Sequence, residues 1–327
     1  MIQFQYERAA TTKAAINGLA NSTHAKFIAG GTNLVDLMKR NVMAPTKLVD
    51  INRVPLKDIQ QLNGKISIGA LALNSQVADH PLILEKHPLL SQALNAGASA
   101  QIRNMATVGG NMMQRTRCPY FYDTALPCNK REPGSGCGAL EGVNRMHAIF
   151  GTSEQCIAVH PSDMCIALVA LDASVIVAGP KGERRIPFEE FHRLPGNQPE
   201  KDNVLQNNEM IISVEIPDNE LSKNAHYFKV RDRASYAFAL VSVAAALTMD
   251  GKVIRDARLA MGGVAHKPWR LREAERSLAG KTVSEETFRQ AAEIAMQGAK
   301  AFKYNAFKLK LGPNVIVEAL KNAAGLV

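Results

Sequence analysis

Four cysteines, Cys118, Cys128, Cys137 and Cys156, fall within one stretch, RTRCPYFYDTALPCNKREPGSGCGALEGVNRMHAIFGTSEQC, whose glycines, prolines and arginines leave little room for regular structure. A segment of this kind reads as ordered by something other than an apolar core. Four thiolates wrapped by irregular chain suit an iron–sulfur centre or a structural zinc, because the metal contributes folding free energy that the side chains do not. Spacing leaves both open, since Cys118, Cys128 and Cys137 with His147 would make a Cys3His zinc site. The fifth cysteine, Cys165, sits just inside a helix opened by Ser162, with Leu168 and Val169 at i+3 and i+4. It reads as a small buried hydrophobe rather than a ligand.

The rest of the chain is globular in composition. At 327 residues and 46% hydrophobic content it can bury sizeable cores, and its length suggests two domains or a domain with subdomains. No basic region followed by an apolar run opens the sequence, so no secretory signal is expected. The longest apolar run, Ala237 to Met249, is too short to span a bilayer, and no membrane insertion is expected. An odd cysteine count without a signal favours metal ligation over a disulfide framework. The net charge of +9 predicts an anionic partner. The basic clusters Lys130–Arg131 and Arg231–Arg233 are too short to point to nucleic acid.

Short strands and helices alternate along the chain. Lys26–Ala29 and Lys47–Ile51 read as strands, with a helix from Asn33 to Arg40 between them that puts Leu34, Leu37 and Met38 on one face. Asn63-Gly64 marks a hairpin between 58–62 and 65–70. A helix over Ser91–Arg103 leads to the turn Thr107-Val108-Gly109-Gly110-Asn111. Beyond the cysteines, a helix opens at Ser162-Asp163 and runs to Leu171, a hairpin spans 174–186, and Met210–Ile216 forms a strand closed by Pro217. A polar break follows over 217–224. The remainder, with a turn at Asp250-Gly251 and helices from Arg270 onward, reads as a separate α+β domain in which Trp269 lies in a turn and anchors the domain against a core.

Two glycine turns carry the next signal. In FIAGGTNLVDLMKR, residues 27–40, adjacent glycines let the backbone approach a ligand closely, and the following helix aims its free amides at whatever sits there, with Thr32 and Asn33 as further hydrogen-bonding partners. This is not the G-x-G-x-x-G of a Rossmann domain, which disfavours a nicotinamide. A second turn, ATVGGN at 106–111, suits a long pyrophosphate-bearing cofactor gripped from two sides. Ser162 and Asp163 would serve equally as an ordinary helix cap, and Lys229 as a solvated lysine. His147, His160 and His266 have no paired nucleophile or carboxylate spacing, so no catalytic residue is assigned.

FIAGGTNL, QIRNMATVGGN, HPSD, YFKVRDRASYAFALVSVAAAL and MGGVAHKPWR together resemble the FAD-binding subunit of the xanthine dehydrogenase and aldehyde oxidoreductase family of molybdenum hydroxylases, over essentially the whole chain. The strings CPYFYDT, PCNKR and PGSGC resemble the members of periplasmic aldehyde oxidoreductase type, which carry an inserted 4Fe-4S cluster. The resemblance implies an α+β fold. Its parts would be a FAD-binding domain of two α/β subdomains, 1–55 and 56–218, with the iron–sulfur loop at 115–157, and a C-terminal α+β domain at 224–327. It implies FAD contacts from Lys26, Phe27, Ile28, Ala29, Gly30, Gly31, Thr32, Asn33 and Leu34, and from Thr107, Gly110, Asn111, Asp163, Ile211 and Lys229. It implies Cys118, Cys128, Cys137 and Cys156 as cluster ligands.

The function it implies is electron transfer. A large molybdenum-cofactor subunit would oxidise an aldehyde to a carboxylic acid, and a small subunit with 2Fe-2S clusters would pass electrons to FAD on this chain, within a heterotrimer. The acceptor would be ferredoxin-like or oxygen. The compartment would be the periplasm by co-export with a signal-bearing partner, and otherwise the cytoplasm. The competing reading is a zinc-stabilised basic protein that binds a nucleotide or nucleic acid. A flavin and iron–sulfur absorption spectrum, against a colourless protein with stoichiometric zinc, separates the two.

Overall fold

Apolar runs of strand length, cut by glycine turns and helices, build three sheets in the computed structural model, which describes residues 1–20, 22, 24–218, 221 and 223–326. The first sheet has strands β1 (Gln5–Arg8), β2 (Ala25–Ile28) and β3 (Lys47–Asp50), in the order β1-β3-β2. Both pairings are parallel, so each needs a crossover, and the helices Thr12–Leu19 and Leu34–Lys39 supply them. Thr11 caps the first of these, its Oγ1 accepting from Ala14 N at 3.1 Å.

The second sheet is antiparallel, with β4 (Ile59–Leu62), β5 (Lys65–Gly69), β6 (Ser174–Gly179), β7 (Gly182–Pro187) and β8 (Met210–Pro217) in the order β4-β5-β8-β6-β7. Asn63 and Gly64 join β4 to β5 with φ of 51° and 71°, the left-handed pair that a two-residue hairpin of matching twist demands. Where β8 meets β6 the register shifts and Ile212 is left opposite no partner residue. Ile211 therefore joins the core of this sheet, while Ile212 packs against the core of the first.

The third sheet has β9 (Asn224–Val230), β10 (Val241–Asp250), β11 (Val253–Gly262) and β12 (Trp269–Arg270), in the order β12-β11-β10-β9. Val241, Val243, Ala245 and Leu247 of β10 face a core made with the helices Arg272–Leu278, Glu285–Ala295 and Phe307–Ala323. Ala244 and Ala246 face the other way, into the core built around the helix Asp163–Ala170. Most of the apolar run read as too short for a membrane, from Val241 to Leu247, is thus strand buried on both faces. No helix among the described residues is long and apolar enough to cross a membrane.

Three expectations need adjustment. The helix expected over 91–103 is two, Pro88–Ala96 and Ala100–Arg103. Gly97 leaves helical geometry, Ala98 takes φ 51°, and Ser99 caps a new start by accepting from Ile102 N. Trp269 is in β12 rather than a turn, opposite Met261, and its ring stacks on Phe150 at 5.1 Å. The break expected over 217–224 includes positions 219, 220 and 222, which lie outside the described residues.

The cysteine segment is irregular apart from the single-turn helices Pro119–Tyr122 and Gly138–Glu141. It does contribute a small core of its own. Phe121 and Cys128 pack on Leu37 of the helix that follows the first glycine turn, with Val42 and Met43 beside them.

Candidate functional site

The two glycine turns touch through their backbones. A Cβ on Gly30 would stand 1.8 Å from the Met105 carbonyl oxygen, so only glycine allows the first turn to lie against the chain entering the second. Gly31 adopts φ 71°, which a β-branched residue rarely takes. The backbone amides of Gly31, Thr32 and Asn33 find no acceptor among the described residues. Asn33 Oδ1 accepts from Arg115 N at 2.9 Å, while its Nδ2 is buried without a partner. Amide hydrogens lacking acceptors at the end of a strand make a ready anion cradle. Lys26 is exposed on β2, and Phe27, Ile28 and Ala29 are half-buried leading into the turn.

The second turn differs. Val108 N donates to Ala72 O at 3.0 Å, Gly109 N to Ala70 O at 2.8 Å and Asn111 N to Thr107 O at 2.8 Å. Gly110 N donates to the Thr107 side chain at 3.2 Å. Its amides are satisfied internally, so it presents side chains rather than free N–H groups. Asn111 Oδ1 accepts from Ser162 Oγ at 2.5 Å, which ties the turn to the start of the helix Asp163–Ala170.

Asp163 and Lys229 meet as an ion pair at 2.8 Å, with side chains only 9% and 4% exposed. Lys229 Nζ also donates to Ala96 O at 3.1 Å, and Tyr227 donates its hydroxyl to Asp163 Oδ1 at 2.8 Å. Burial, with Asp163 adding to it, holds the Tyr227 phenol well above its ordinary pKa, so it stays a donor. Asp163 lines an open cleft of about 590 Å³, along with Arg117, Cys118, His147, His160, Ser162, Ser242 and Gly263. The cleft lies between the cysteine segment, the start of the helix Asp163–Ala170 and the third sheet. Of the residues singled out from the sequence, Ile211 stands apart, its side chain in the core of the second sheet.

Cys118, Cys128, Cys137 and Cys156 all line one small, tight cavity, with Asn129, Lys130 and Gln155. All five cysteines are free thiols. Burial pushes Cys118 up to about 12 and Cys156 up to about 11, with the neighbouring cysteines adding to the rise. A bound cation would reverse that and deprotonate them. Cys165 is fully buried in its helix and does not line this cavity. The loop is held by its polar side chains. Arg131 donates to the carbonyls of Tyr120, Phe121 and Asp123, and Asn129 Oδ1 accepts from Gly134 N and Gly136 N.

His147 Nε2 lies 3.1 Å from Cys118 Sγ, and burial lowers this imidazole to about 4, leaving it neutral. A single tetrahedral zinc would draw thiolate sulfurs to about 3.8 Å of one another, from bonds of about 2.3 Å. Among the described residues the group that brings three such donors within 4.8 Å is His160, Cys165 and His192, not any trio of the loop.

Sequence reasoning missed the charges under this cavity. Lys130, taken for part of a short basic cluster, is buried and pairs with Asp202, which also pairs with Arg115. The run CNKR gave no sign of this, because Asp202 is distant in sequence and brought in by the fold.

Comparison with known proteins agrees with the two halves of this architecture. The pattern of the FAD binding domain in molybdopterin dehydrogenase matches residues 2–219, and that of the CO dehydrogenase flavoprotein C-terminal domain matches residues 226–322. The chain is 47% identical to the aldehyde oxidoreductase FAD-binding subunit PaoB of Escherichia coli K12, over 99% of each chain. It is 27% identical to the glyceraldehyde dehydrogenase medium chain of Sulfolobus acidocaldarius, over 89% of this chain and 86% of that one. The crystal structure of quinoline 2-oxidoreductase from Pseudomonas putida 86 superposes with a TM-score of 0.77 at 25% identity, covering 99% of this chain and 98% of that one. A mixed α/β FAD-binding half, a flavoprotein C-terminal half and full-length identity of this order have one conclusion: the chain belongs to the FAD-binding medium subunits of the molybdenum hydroxylase family.

Proposed function

We propose that this chain is the flavin and iron–sulfur subunit of a molybdenum-dependent aldehyde oxidoreductase, moving electrons between partner subunits and an acceptor rather than oxidising the aldehyde itself. The observation that carries the reading is the cavity lined by Cys118, Cys128, Cys137 and Cys156 beside a glycine turn with unused amides. Four thiols that line one cavity, those of Cys128 and Cys156 buried and those of Cys118 and Cys137 half-buried, suit a 4Fe-4S cluster. When bound, FAD and the cluster supply the exchange between two-electron and one-electron chemistry, and the protein supplies placement and electrostatics.

The residues divide that labour. Gly30, Gly31, Thr32 and Asn33 hold the pyrophosphate, with Lys26, Phe27, Ile28, Ala29 and Leu34 forming the approach to it. Thr107, Gly110 and Asn111 brace the turn and carry its contacts to Ser162. Asp163 and Lys229 set a fixed charge pair at the cleft, and Ile211 offers backbone. Segments 1–55 and 56–218 form the flavin domain with the loop at 115–157, and 224–327 the C-terminal domain. The partners are a large molybdenum-cofactor subunit and a small 2Fe-2S subunit. The periplasm, reached with a signal-bearing partner, is the compartment proposed.

The test is an absorption spectrum of purified protein with iron, zinc and released flavin quantified, followed by Cys118→Ser, Cys128→Ser, Cys137→Ser, Cys156→Ser and Cys165→Ser. Each of the first four is expected to lower bound iron, because a hydroxyl poorly replaces a soft thiolate, and Cys165→Ser is not. A colourless protein with stoichiometric zinc, or loss of iron only in the Cys165 variant, sinks the reading.

A further inference from the structure

The cavity that gathers the four thiols also contains a buried cation that the ligand set does not explain. Lys130 follows Cys128 by two residues, lines the same cavity, and has a side chain 1% exposed. Its Nζ donates to Asp202 Oδ1 and, at 2.7 Å, to Pro199 O. The other oxygen of Asp202 accepts from Arg115 Nε at 2.8 Å, and Arg115 Nη2 donates to Glu200 O at 3.2 Å. Burial opposes ionisation of Asp202, but Arg115 and Lys130 outweigh it and hold its carboxyl well below the usual range.

An ammonium withdrawn from water is expensive, and a buried ion pair often contributes less to stability than apolar side chains of the same volume would. Packing alone therefore gives no reason for a lysine here. Negative charge in the adjacent cavity does, and a cluster on four thiolates is negative and becomes more so on reduction.

We propose that Lys130 sets the reduction potential of the centre held by the four cysteines, and that Asp202 sets it in the opposite sense by fixing and partly neutralising Lys130. This rests on the iron–sulfur reading given above. A fixed positive charge beside the centre stabilises the state with one electron more, and so raises the potential; net charge is among the factors that set the potential of such clusters. Arg115 extends the arrangement, because its backbone N–H donates to Asn33 Oδ1 while its guanidinium holds Asp202. The charge pair and the first glycine turn are thus anchored to one residue.

The experiment is an anaerobic redox titration of the holoprotein with dithionite, followed by low-temperature EPR, with iron, FAD and melting temperature measured for each variant. Lys130→Gln is expected to move the midpoint to more negative potential, Asp202→Asn to more positive, and Lys130→Arg to leave it near that of the unaltered protein. Opposite signs distinguish an electrostatic role from a structural one, which would shift both variants the same way or strip their iron. Should Lys130→Gln lose its cluster, the sign of the Asp202→Asn shift against Lys130→Arg decides. A cluster signal whose midpoint stays put in these variants, or moves in the same direction in both, overturns the role of Lys130 alone. No cluster signal in the unaltered protein overturns the iron–sulfur reading and this inference with it.

Discussion

The two glycine turns are close in composition and opposite in bonding. Each has adjacent glycines, a threonine and an asparagine, yet the amides of Gly31, Thr32 and Asn33 have no acceptor among the described residues while those of Val108, Gly109, Gly110 and Asn111 all have one. The difference lies in what each turn leads into and rests upon. The second sits against Ala70 and Ala72, whose carbonyls take two of its amides, and Thr107 caps a third. The first leaves a parallel edge strand and meets no such surface. Sequence shows where a backbone can come close to a ligand; only the fold shows whether its N–H groups are still free on arrival.

Substitutions can break that contrast. The largest effect is expected from Gly30→Val, because its Cβ would fall 1.8 Å from a backbone carbonyl that cannot move without displacing the second turn. Both FAD content and melting temperature should drop, read by flavin released on precipitation and by thermal unfolding. Next, Gly31→Val should weaken FAD by roughly tenfold or more, since the left-handed backbone costs a residue with a Cβ about 1–2 kcal/mol. Gly110→Ala, with negative φ and only the Thr107 hydroxyl at 3.0 Å to accommodate, should retain most of its flavin. Equal losses in these two would erase the distinction between the turns. The smallest effect is expected from Thr107→Val, which removes a cap worth about 1 kcal/mol and should lower stability while leaving FAD stoichiometry unchanged. Flavin loss in that variant at unchanged melting temperature would mean that the second turn binds directly.

Much of this was legible without coordinates, for identifiable reasons. Positive-φ demands are local, so Asn63-Gly64 announced its hairpin and Gly31 its turn. The four cysteines announced a common site because irregular chain has little else to do with so many thiols. What was hidden depended on distant partners. Lys130 read only as part of a short basic cluster, and its partner Asp202 lies 72 residues away. Lys229 read equally as a solvated lysine, and its pairing with Asp163 needed the third sheet to close over the helix Asp163–Ala170. The helix expected over 91–103 failed at Ala98, whose left-handed backbone no propensity would assign to alanine.

β10 has a consequence for motion. A strand whose alternate side chains belong to two different cores cannot slide or tilt without opening both, so the halves of the molecule share a rigid seam rather than a hinge. The cleft bounded by Ser242 at the start of that strand should then keep its width whether the protein is oxidised or reduced. In hydrogen exchange the amides of Val243 to Leu247 should be among the last to open, exchanging only when the whole chain unfolds. Under the electron-transfer function proposed above, such a seam would keep the gap between the flavin site and the cysteine cavity constant from one turnover to the next.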